Sequence, residues 1–563
     1  MTTRIRKIIF PLALLGGLSA IHESNATTLD RFYPTHVGEG AYPDLVDDIA
    51  GTLMIHFASH SPSTFKGMAP GHEPEPAPTA QPVVRVSKWD RFEAAVTNLK
   101  SCSNKYKDVT LNVTYTKPDG STIKFWGFYD GDSTWKIRFM PDQLGAWKFD
   151  ARFSDGTPGC TGEFECVPSD LPGMLTVYEP NPLWFGYKNG EAVFIRSFHV
   201  GDCFFASNLP PESRKAFLDW AKGQGYNMLS IASHYLNRDA EGRGKGWETP
   251  KLWPLNAEEY RKMEKILDDL ANRRVFVFPF AGFFGQKSNY PRDPGDQEMY
   301  IRYTLARIGP YWNLLFNVAG PEPNLGNRWM EDSVVIRLGK QIRDLDIFRH
   351  PISVHNRTGD DPYRDSDWTD YGVLQGPKTV DRKKLSAGIL KNHHPAKPLY
   401  AQETLWTGNT HHPPYTDADI RKNAYVIAMS AAAFCFADNK GHSSTGFSGT
   451  LDFADCRQPH HDIVKRVLDF FGTVPFQRMK PHQELVDNGY CLAEPGNMYL
   501  VYLESPGTVN IQVSGGQYKV EWINAQNPHE RRAGGTTSDG KDLKSPDYGD
   551  DWLVMLCKNP ASY

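Results

Sequence analysis

The sequence predicts a multidomain protein in which a central (β/α)8 TIM barrel lies between two β-sandwiches. The 563 residues exceed a single domain of roughly 100 to 200 residues. Short β-rich runs separated by turns occupy both ends of the folded region, and apolar runs alternate with amphipathic stretches in the middle. We expect five segments: a signal peptide at 1–26, an N-terminal segment and linker at 27–82, a sandwich at 83–172, the barrel at 173–475 and a second sandwich at 476–563.

The first residues have the pattern of an export signal. Three basic residues within the first seven precede an apolar run at 8–21, and Ser24 and Ala26 are small at the positions that a signal peptidase reads. A membrane anchor is the alternative, but about 14 apolar residues are fewer than the roughly 20 that span a bilayer. We therefore expect a periplasmic or secreted protein with no membrane insertion after cleavage. Residues 61–82 are rich in Pro, Ala and Glu, which predicts an extended linker.

Composition excludes several classes of partner. A net charge of -4 with 40% hydrophobic and 23% charged residues indicates a globular protein without the electrostatic pattern of a nucleic-acid binder. The eight cysteines permit disulfides in an exported chain, and Cys160 with Cys166 could close a small loop. Connectivity cannot be deduced from the spacing. The other cysteines lack a C-x-x-C spacing, so we expect neither zinc nor thiol redox chemistry.

The two sandwiches are predicted from runs that alternate with Gly, Asp, Ser and Pro turns. In the N-terminal part these runs are Val109 to Tyr115, Ile123 to Tyr129, Trp135 to Met140 and Trp147 to Phe153. In the C-terminal part they are Met498 to Leu503, Val509 to Val513, Tyr518 to Ile523 and Trp552 to Leu556.

Eight apolar runs with about 34 residues between their starts predict the barrel, because each βαβ unit needs roughly 30 residues or more. The runs start near Val193, Met228, Val275, Leu314, Ile352, Tyr371, Pro398 and Ala432. Helical patterns lie at Glu212 to Lys222, Ala257 to Arg273, Ser333 to Asp346, Thr379 to Lys391 and Asp417 to Ser430. A doubly wound sheet is disfavoured because no Gly-rich phosphate turn follows the first run.

Polar side chains follow most of these strands, at the end where a barrel carries its chemistry. In strand order they are His199 and Asp202, then His234 and Tyr235, then Asn317 and Glu322, then His355, then Gln375, and finally Glu403 and Trp406. We expect all of these side chains to line one cavity and to bind or cleave the substrate. Of the tryptophans in the long loops, we expect only Trp406 to stack on a sugar ring.

Glu322 and Glu403 follow the fourth and seventh strands, on opposite sides of the predicted barrel mouth. Hydrolysis of a glycosidic bond needs one carboxylic acid and one carboxylate on either side of that bond. We assign Glu322 as the acid/base and Glu403 as an ionised nucleophile, held so by donors such as Asn317, His355 or Tyr235. A single glutamate after a strand is usually a solvated loop residue, so the hypothesis depends on the two together.

Other chemistries fit the sequence less well. The adjacent histidine pairs do not predict a metal site, because neighbouring side chains diverge and H-E-x-x-H is missing. A serine hydrolase is disfavoured because G-x-S-x-G is missing from the barrel strands. We therefore expect no metal and no organic cofactor.

The residues resemble the apiosidase-like glycoside hydrolases, over most of the chain. The N-terminal motifs of this resemblance are Lys88–Glu93, Gly127–Gly131, Trp135–Pro141 and Gly145–Trp147. Those of the barrel are Gly201-Asp202, Gly225–Asn227, His350-Pro351 and Leu374-Gln375. The stretch from Tyr490 through Trp552 resembles a β-sandwich domain labelled collagen-binding, a label from which we infer no function.

The resemblance implies catalysis by carboxylates after the fourth and seventh strands, that is Glu322 and Glu403, with Asp202 and His355 binding sugar. Pro321 and Pro323 flank Glu322, where such barrels often have Gly or Asn. The hypothesis is an exported, retaining glycosidase that acts on a cell-wall polysaccharide or its oligosaccharides. Two alternatives stay open: a carbohydrate- or matrix-binding protein with an inert barrel, and a polysaccharide lyase, which would want a basic subsite.

Overall fold

The computed structural model describes residues 83–200, 204–231, 248–280, 283–285, 290–320, 322–323, 330–356, 359–407, 415–437 and 459–558. All of them belong to one compact unit, Thr52–Tyr563. The predicted signal peptide and linker lie outside the described residues. None of the described helices has the length and hydropathy needed to cross a bilayer.

The N-terminal sheet unit, residues 84–167, consists of eight strands in two sheets. The strands are β1 Val84–Ser87, β2 Phe92–Thr97, β3 Leu111–Thr116, β4 Thr122–Trp126, β5 Phe128–Gly131, β6 Thr134–Phe139, β7 Gly145–Phe153 and β8 Cys160–Val167. One sheet has the order β1-β8-β7-β3-β4 and the other β2-β6-β5. Phe92 of the smaller sheet stacks on Phe164 of the larger one at 4.1 Å between ring centroids. Side chains from both sheets therefore share one core.

A small antiparallel sheet follows, formed by β9 Leu175–Val177, β10 Phe185–Tyr187 and β11 Ala192–Val193. The prediction that the first parallel strand starts near Val193 is therefore wrong. Val193 pairs with Phe185 in this small sheet, and the first parallel strand starts at Arg196.

The central unit, residues 196–472, alternates parallel strands with helices. Its strands are β12 Arg196–Val200, β13 Met228–Ile231, β14 Phe276–Pro279, β15 Phe316–Asn317, β16 Ile352–Ser353, β17 Gly372–Val373, β18 Leu399–Trp406 and β19 Ala432–Ala437. Its helices are α1 Pro211–Gly223, α2 Ala257–Asn272, α3 Pro294–Ile308, α4 Asp332–Leu345, α5 Arg382–Lys391, α6 Asp417–Met429 and α7 Pro459–Gly472. All five predicted helices are confirmed, with shifts of three residues or fewer at their ends.

Six of these strands form one parallel sheet in the order β14-β13-β12-β19-β18-β17, and β15 pairs with β16. Backbone hydrogen bonds connect the β15-β16 pair to both edges of the six-stranded sheet, at β14 and at β17. Val277 N donates to Asn313 O at 2.8 Å next to β15, and Asp370 N donates to Ile352 O at 2.9 Å next to β17. Each parallel strand is thus hydrogen-bonded, directly or through the residues beside it, to a neighbour on either side.

Local sequence explains where the helices begin and what they bury. The Asn256 side chain accepts a hydrogen bond from Glu258 N and so caps α2, and a capping box of Thr416 and Asp419 starts α6. Apolar side chains in α2 recur at helical spacing and are buried: Tyr260, Met263, Ile266, Leu267 and Leu270.

The C-terminal sheet unit, residues 480–557, is antiparallel. Its strands are β20 Lys480–Pro481, β21 Tyr490–Glu494, β22 Met498–Leu503, β23 Thr508–Val509, β24 Tyr518–Asn524, β25 Arg531–Thr537, β26 Leu543–Lys544 and β27 Trp552–Cys557. Six of them have the order β20-β21-β22-β27-β24-β25, and β23 pairs with β26. Buried Arg421 of α6 forms an ion pair with Asp551 at 2.9 Å, which attaches this unit to the central helices.

A buried ion network, formed by Asp130, Arg138, Glu264 and Arg307, joins the N-terminal sheet unit to α2 and α3. Arg138 Nη1 and Arg307 Nε donate to Glu264 Oε1 at 2.9 and 2.6 Å, and Arg307 Nη1 donates to Asp130 at 2.8 Å. All four residues are less than 9% exposed. Charges buried this deeply are tolerated only when they are paired and hydrogen-bonded, as these are.

The disulfide that Cys160 and Cys166 could have formed is not present in the structure. Both residues lie in β8 and are free thiols, as are Cys102, Cys435, Cys491 and Cys557. Six residues of extended strand separate their Cα atoms by about 20 Å. A disulfide needs Cα atoms about 4.4–6.8 Å apart.

Candidate active site

The candidate site lies at the carboxyl ends of the parallel strands. Glu403 belongs to β18, Gln375 follows β17 by two residues, and His355 follows β16 by two residues. Glu322 follows β15 by five residues. Because parallel strands end at the same edge of a sheet, residues far apart in sequence meet here.

Glu322 and Glu403 face each other. One oxygen from each carboxylate and one ring nitrogen of His355 all lie within 4.8 Å of one another. Between the glutamates, Gln375 Nε2 donates to Glu322 Oε1 at 3.1 Å and also to Glu403 Oε2. His355 Nε2 lies 3.4 Å from the same oxygen of Glu403. Glu403 is 4% exposed, whereas Glu322 is half-buried.

An irregularity in β18 aims two neighbouring side chains into the site. The pairing of β18 with β19 shifts register between Ala401 and Leu405. A β-bulge of this kind disrupts the strict alternation of side chains and re-aims them, often next to active sites. As a result two consecutive side chains both reach the site. Gln402 Nε2 donates to Ser230 Oγ at 2.8 Å, and Glu403 Oε2 accepts a hydrogen bond from Gln375 Nε2.

The surroundings of Glu403 favour its ionised form. Burial raises the pKa of Glu403, but the positive charge of Lys378 and the hydrogen bond from His355 more than offset that effect. The pKa of Glu403 therefore lies well below the usual range. This environment favours the negatively charged form of the carboxylate, which is the form that a nucleophile requires.

Asn317 fixes the backbone position of His355. Its Oδ1 accepts a hydrogen bond from His355 N at 2.7 Å, and its Nδ2 donates to Phe280 O. The expected donation from Asn317 to Glu403 is not found among the described residues. The ring of Phe280 packs on the edge of His355 at 4.6 Å between centroids. Asn317 thus fixes the loop that carries His355 instead of reaching the glutamates.

A buried polar layer lies beside the glutamates, around His199. His199 Nδ1 is 3.0 Å from Ser230 Oγ and 3.3 Å from Gln402 Nε2. Burial lowers the pKa of His199 to about 4, so that the ring is neutral at neutral pH. Only 2% of His199 is exposed, so the residue supports the floor of the site.

The expectation of an exposed ring at Trp406 is wrong. Trp406 is 1% exposed because β18 continues through it instead of ending before it. Lys378 Nζ lies 5.1 Å from the centre of that ring. Sequence reasoning missed Lys378. The positive charge of this residue lowers the pKa of both Glu403 and His199.

Three predicted site residues, Asp202, His234 and Tyr235, lie outside the described residues. Of the other seven, the structure brings Glu322, His355, Gln375 and Glu403 into mutual contact. It places His199, Asn317 and Trp406 in the buried layer around them.

Glu322, His355 and Glu403 could also act together as metal ligands, because each offers a donor atom within 4.8 Å of the others. Two carboxylates and one histidine suit a divalent cation. However, Gln375 directs an N–H donor, which cannot coordinate a cation, at both carboxylates. In the structure, Gln375 thus links the two carboxylates through hydrogen bonds.

Comparison with known proteins gives the fold. Residues 85–154 match a family described as a domain of unknown function, DUF5060. No curated protein matches the chain significantly. A candidate glycoside hydrolase from Bacteroides vulgatus is similar in structure, with a TM-score of 0.66 at 17% identity over 84% of this chain and 100% of that one. The chain shares the fold of that protein.

Two further solved structures are similar. A glycoside hydrolase family 5 protein from Bacteroides vulgatus has a TM-score of 0.54 at 16% identity, over 70% of this chain and 95% of that one. A structure described as a glycoside hydrolase has a TM-score of 0.53 at 14% identity, over 69% and 97%. At these identities the likeness concerns the fold alone.

Proposed function

We propose that the protein is a glycoside hydrolase that cleaves its substrate with Glu322 and Glu403. The observation that carries this proposal is the pair itself: two carboxylates from different strands, with oxygens within 4.8 Å of each other, at the carboxyl ends of a parallel sheet. The fold shared with glycoside hydrolases supports it. So does the environment of Glu403, which favours the ionised carboxylate.

The same proposal covers the architecture. The eight parallel strands close into a (β/α)8 barrel, a closure supported by the backbone bonds that connect β15 and β16 to the strands on either side. The N-terminal and C-terminal sheet units are the flanking β-sandwiches. The resemblance to apiosidase-like hydrolases and to the domain labelled collagen-binding belongs to this proposal too.

The short distance between the carboxylates favours retention of configuration. Retaining glycosidases have carboxyl groups about 5–5.5 Å apart, whereas inverting ones leave about 6.5–9.5 Å for a water molecule. In the first step Glu403 attacks the anomeric carbon while Glu322 gives its proton to the leaving oxygen. In the second step water attacks that carbon, Glu322 takes the proton from the water, and the bond to Glu403 breaks.

The neighbours have supporting roles in this mechanism. Gln375 and His355 fix the orientation of Glu403 through their contacts with its Oε2. Asp202, His234 and Tyr235 bind sugar hydroxyls from the first and second strand ends. The buried layer fixes the positions of the glutamates, His355 and Gln375, and it consists of His199, Asn317 and Trp406.

The substrate class and the location complete the proposal. The enzyme is exported, and its substrate is a cell-wall polysaccharide or an oligosaccharide derived from one. The two-step reaction requires neither a metal nor an organic cofactor, because the carboxylates supply both the nucleophile and the proton.

The test is substitution of each glutamate by glutamine. On any polysaccharide that the protein cleaves, Glu322→Gln and Glu403→Gln are expected to lower kcat by about 10²-fold to 10⁴-fold or more. Glu212→Gln is the matched control, because Glu212 is exposed in the first turn of α1. NMR should show that the product formed first has the same anomeric configuration as the glycosidic bond that was cleaved. Parent rates in both variants would contradict the roles, and an inverted anomer would contradict the nucleophile.

A further inference from the structure

A cavity lies between the N-terminal sheet unit and α3, and none of the candidate active-site residues lines it. It has a volume of about 340 Å³. That volume lies at the lower end of the roughly 300–1,000 Å³ of small-molecule sites. One wall is formed by the turn between β4 and β5 and the stretch before β3, and the other by the first two and a half turns of α3.

Aromatic rings dominate the wall from the sheet unit. Trp126, Tyr106 and Tyr129 line the cavity and are half-buried, so parts of their rings remain accessible. The guanidinium of Arg302 lies 4.9 Å from the centre of the Trp126 ring. Rings of this kind offer a large and rigid apolar surface that suits the C–H faces of a sugar.

The rings are held firmly in place. Tyr106 packs edge-on against both Tyr129 and Tyr303, at 5.1 and 5.3 Å between centroids. Tyr303 donates from its hydroxyl to Tyr129 O at 2.7 Å, and Tyr106 accepts from Ala257 N at 3.0 Å. A ligand that enters the cavity meets a surface that needs little reordering, which lowers the cost of binding.

The charges around the cavity cancel. Three cationic side chains, Lys105, Lys107 and Arg302, are matched by three carboxylates, Asp293, Asp296 and Glu298. Glu298 and Arg302 also pair directly, at 2.9 Å. A wall with no net charge but many donors and acceptors favours a neutral ligand rich in hydroxyl groups over an anion or a cation.

We propose that this cavity is a second carbohydrate-binding site, which takes a neutral saccharide segment against Trp126 and Tyr129. The inference does not depend on the proposed catalysis. It gives the N-terminal sheet unit a function, because its strands supply the aromatic wall. Helices of a β/α unit start near the carboxyl ends of the strands. The first turns of α3 thus place this cavity on the same side of the molecule as Glu322 and Glu403, so one long glycan can contact both sites.

The experiment is affinity electrophoresis of the full chain carrying Glu403→Gln, so that no turnover alters the gel. The gels contain xyloglucan, galactomannan, arabinan or mixed-linkage β-glucan, which are neutral, or polygalacturonate, which is anionic. We expect at least one neutral polymer to retard the protein, and Trp126→Ala and Arg302→Gln each to weaken that binding by about tenfold, a change of about 1.4 kcal/mol. Arg302→Gln keeps the test valid if Trp126→Ala fails to fold.

Tyr548→Ala is the matched control. Tyr548 is 42% exposed in the C-terminal sheet unit and has Arg532 at 5.6 Å from its ring, which reproduces the pairing of Trp126 with Arg302. We expect its binding to equal that of the parent. The proposal is overturned if no neutral polymer retards the protein, if polygalacturonate is preferred, or if neither Trp126→Ala nor Arg302→Gln weakens binding. Binding without turnover in the parent chain would overturn the catalytic proposal and leave this one intact.

Discussion

Replacing Glu264 by glutamine should strongly destabilise the protein, because Glu264 is the centre of the buried ion network. Four hydrogen bonds reach its carboxylate, two from Arg138 at 2.9 and 3.2 Å and two from Arg307 at 2.6 and 2.9 Å. An amide keeps one oxygen and turns an N–H₂ donor towards the arginines, so at least two of these bonds are lost. At about 1.5–3 kcal/mol for each charged bond, the loss is about 3–6 kcal/mol. Removing one partner of a buried ion pair costs a similar 3–5 kcal/mol.

Urea unfolding followed by tryptophan fluorescence measures this loss, with Glu258→Gln as the control. Glu258 also pairs with an arginine, Arg261, at 2.7 Å, but both side chains are substantially exposed. Pairs of that kind contribute about 0–1 kcal/mol. We expect a large shift of the first unfolding transition in Glu264→Gln and almost none in Glu258→Gln. Equal shifts in the two variants, or a change under 1 kcal/mol in Glu264→Gln, would refute the assigned role of the network.

The pH dependence of stability provides a second measurement on the same residue. Burial raises the pKa of Glu264, but Arg138 and Arg307 outweigh burial and hold that pKa far below its usual value of 4.5. A carboxylate with a depressed pKa contributes stability that is complete above its unfolded pKa and declines as the pH falls below it. The parent should therefore lose stability below about pH 4.5, and Glu264→Gln should lose less over the same range.

Three other predictions concern the site and the cysteines. Gln375→Leu removes the donor shared by the two carboxylates and should lower kcat/KM by about 10²-fold, measured on the substrate used for the glutamate variants. Lys378→Met removes a cation and should raise the pKa of Glu403, so that the acidic limb of the kcat/KM profile moves to higher pH; an unchanged limb would exclude this electrostatic role. In denaturant without reductant, iodoacetamide should alkylate both Cys160 and Cys166, and protection of that pair would contradict the free thiols.

The glutamate pair could be predicted because its position depends on a rule of topology. Residues that follow parallel strands meet at one edge, whatever their distance in the sequence. The prediction that Glu322 and Glu403 meet therefore required only a correct count of the strands. Lys378 had no such signal, since it lies in the irregular segment after β17 and its position depends on the path of that segment. Tertiary contacts of this kind leave no periodic pattern in the chain.

The errors have local physical causes. Trp406 was expected in a loop, but β18 continues beyond the β-bulge at residues 401–405, where Trp406 pairs with Ala437 and its side chain is buried. Helix α3 was not among the five predicted helices, although Asp293 as a cap before a proline is a typical helix start. The pairing of Cys160 with Cys166 failed because spacing alone does not distinguish a loop from an extended strand.

The amide that separates the two carboxylates has a consequence for how protons move. Glutamine neither gains nor loses a proton at any pH that a folded enzyme meets, so Gln375 cannot relay one from Glu322 to Glu403. A proton exchanged between the two carboxylates therefore has to travel through another group, such as water or the ring of His355, a nitrogen of which lies within 4.8 Å of an oxygen of each. The two carboxylates are thus neighbours in space that Gln375 holds together without itself passing a proton between them.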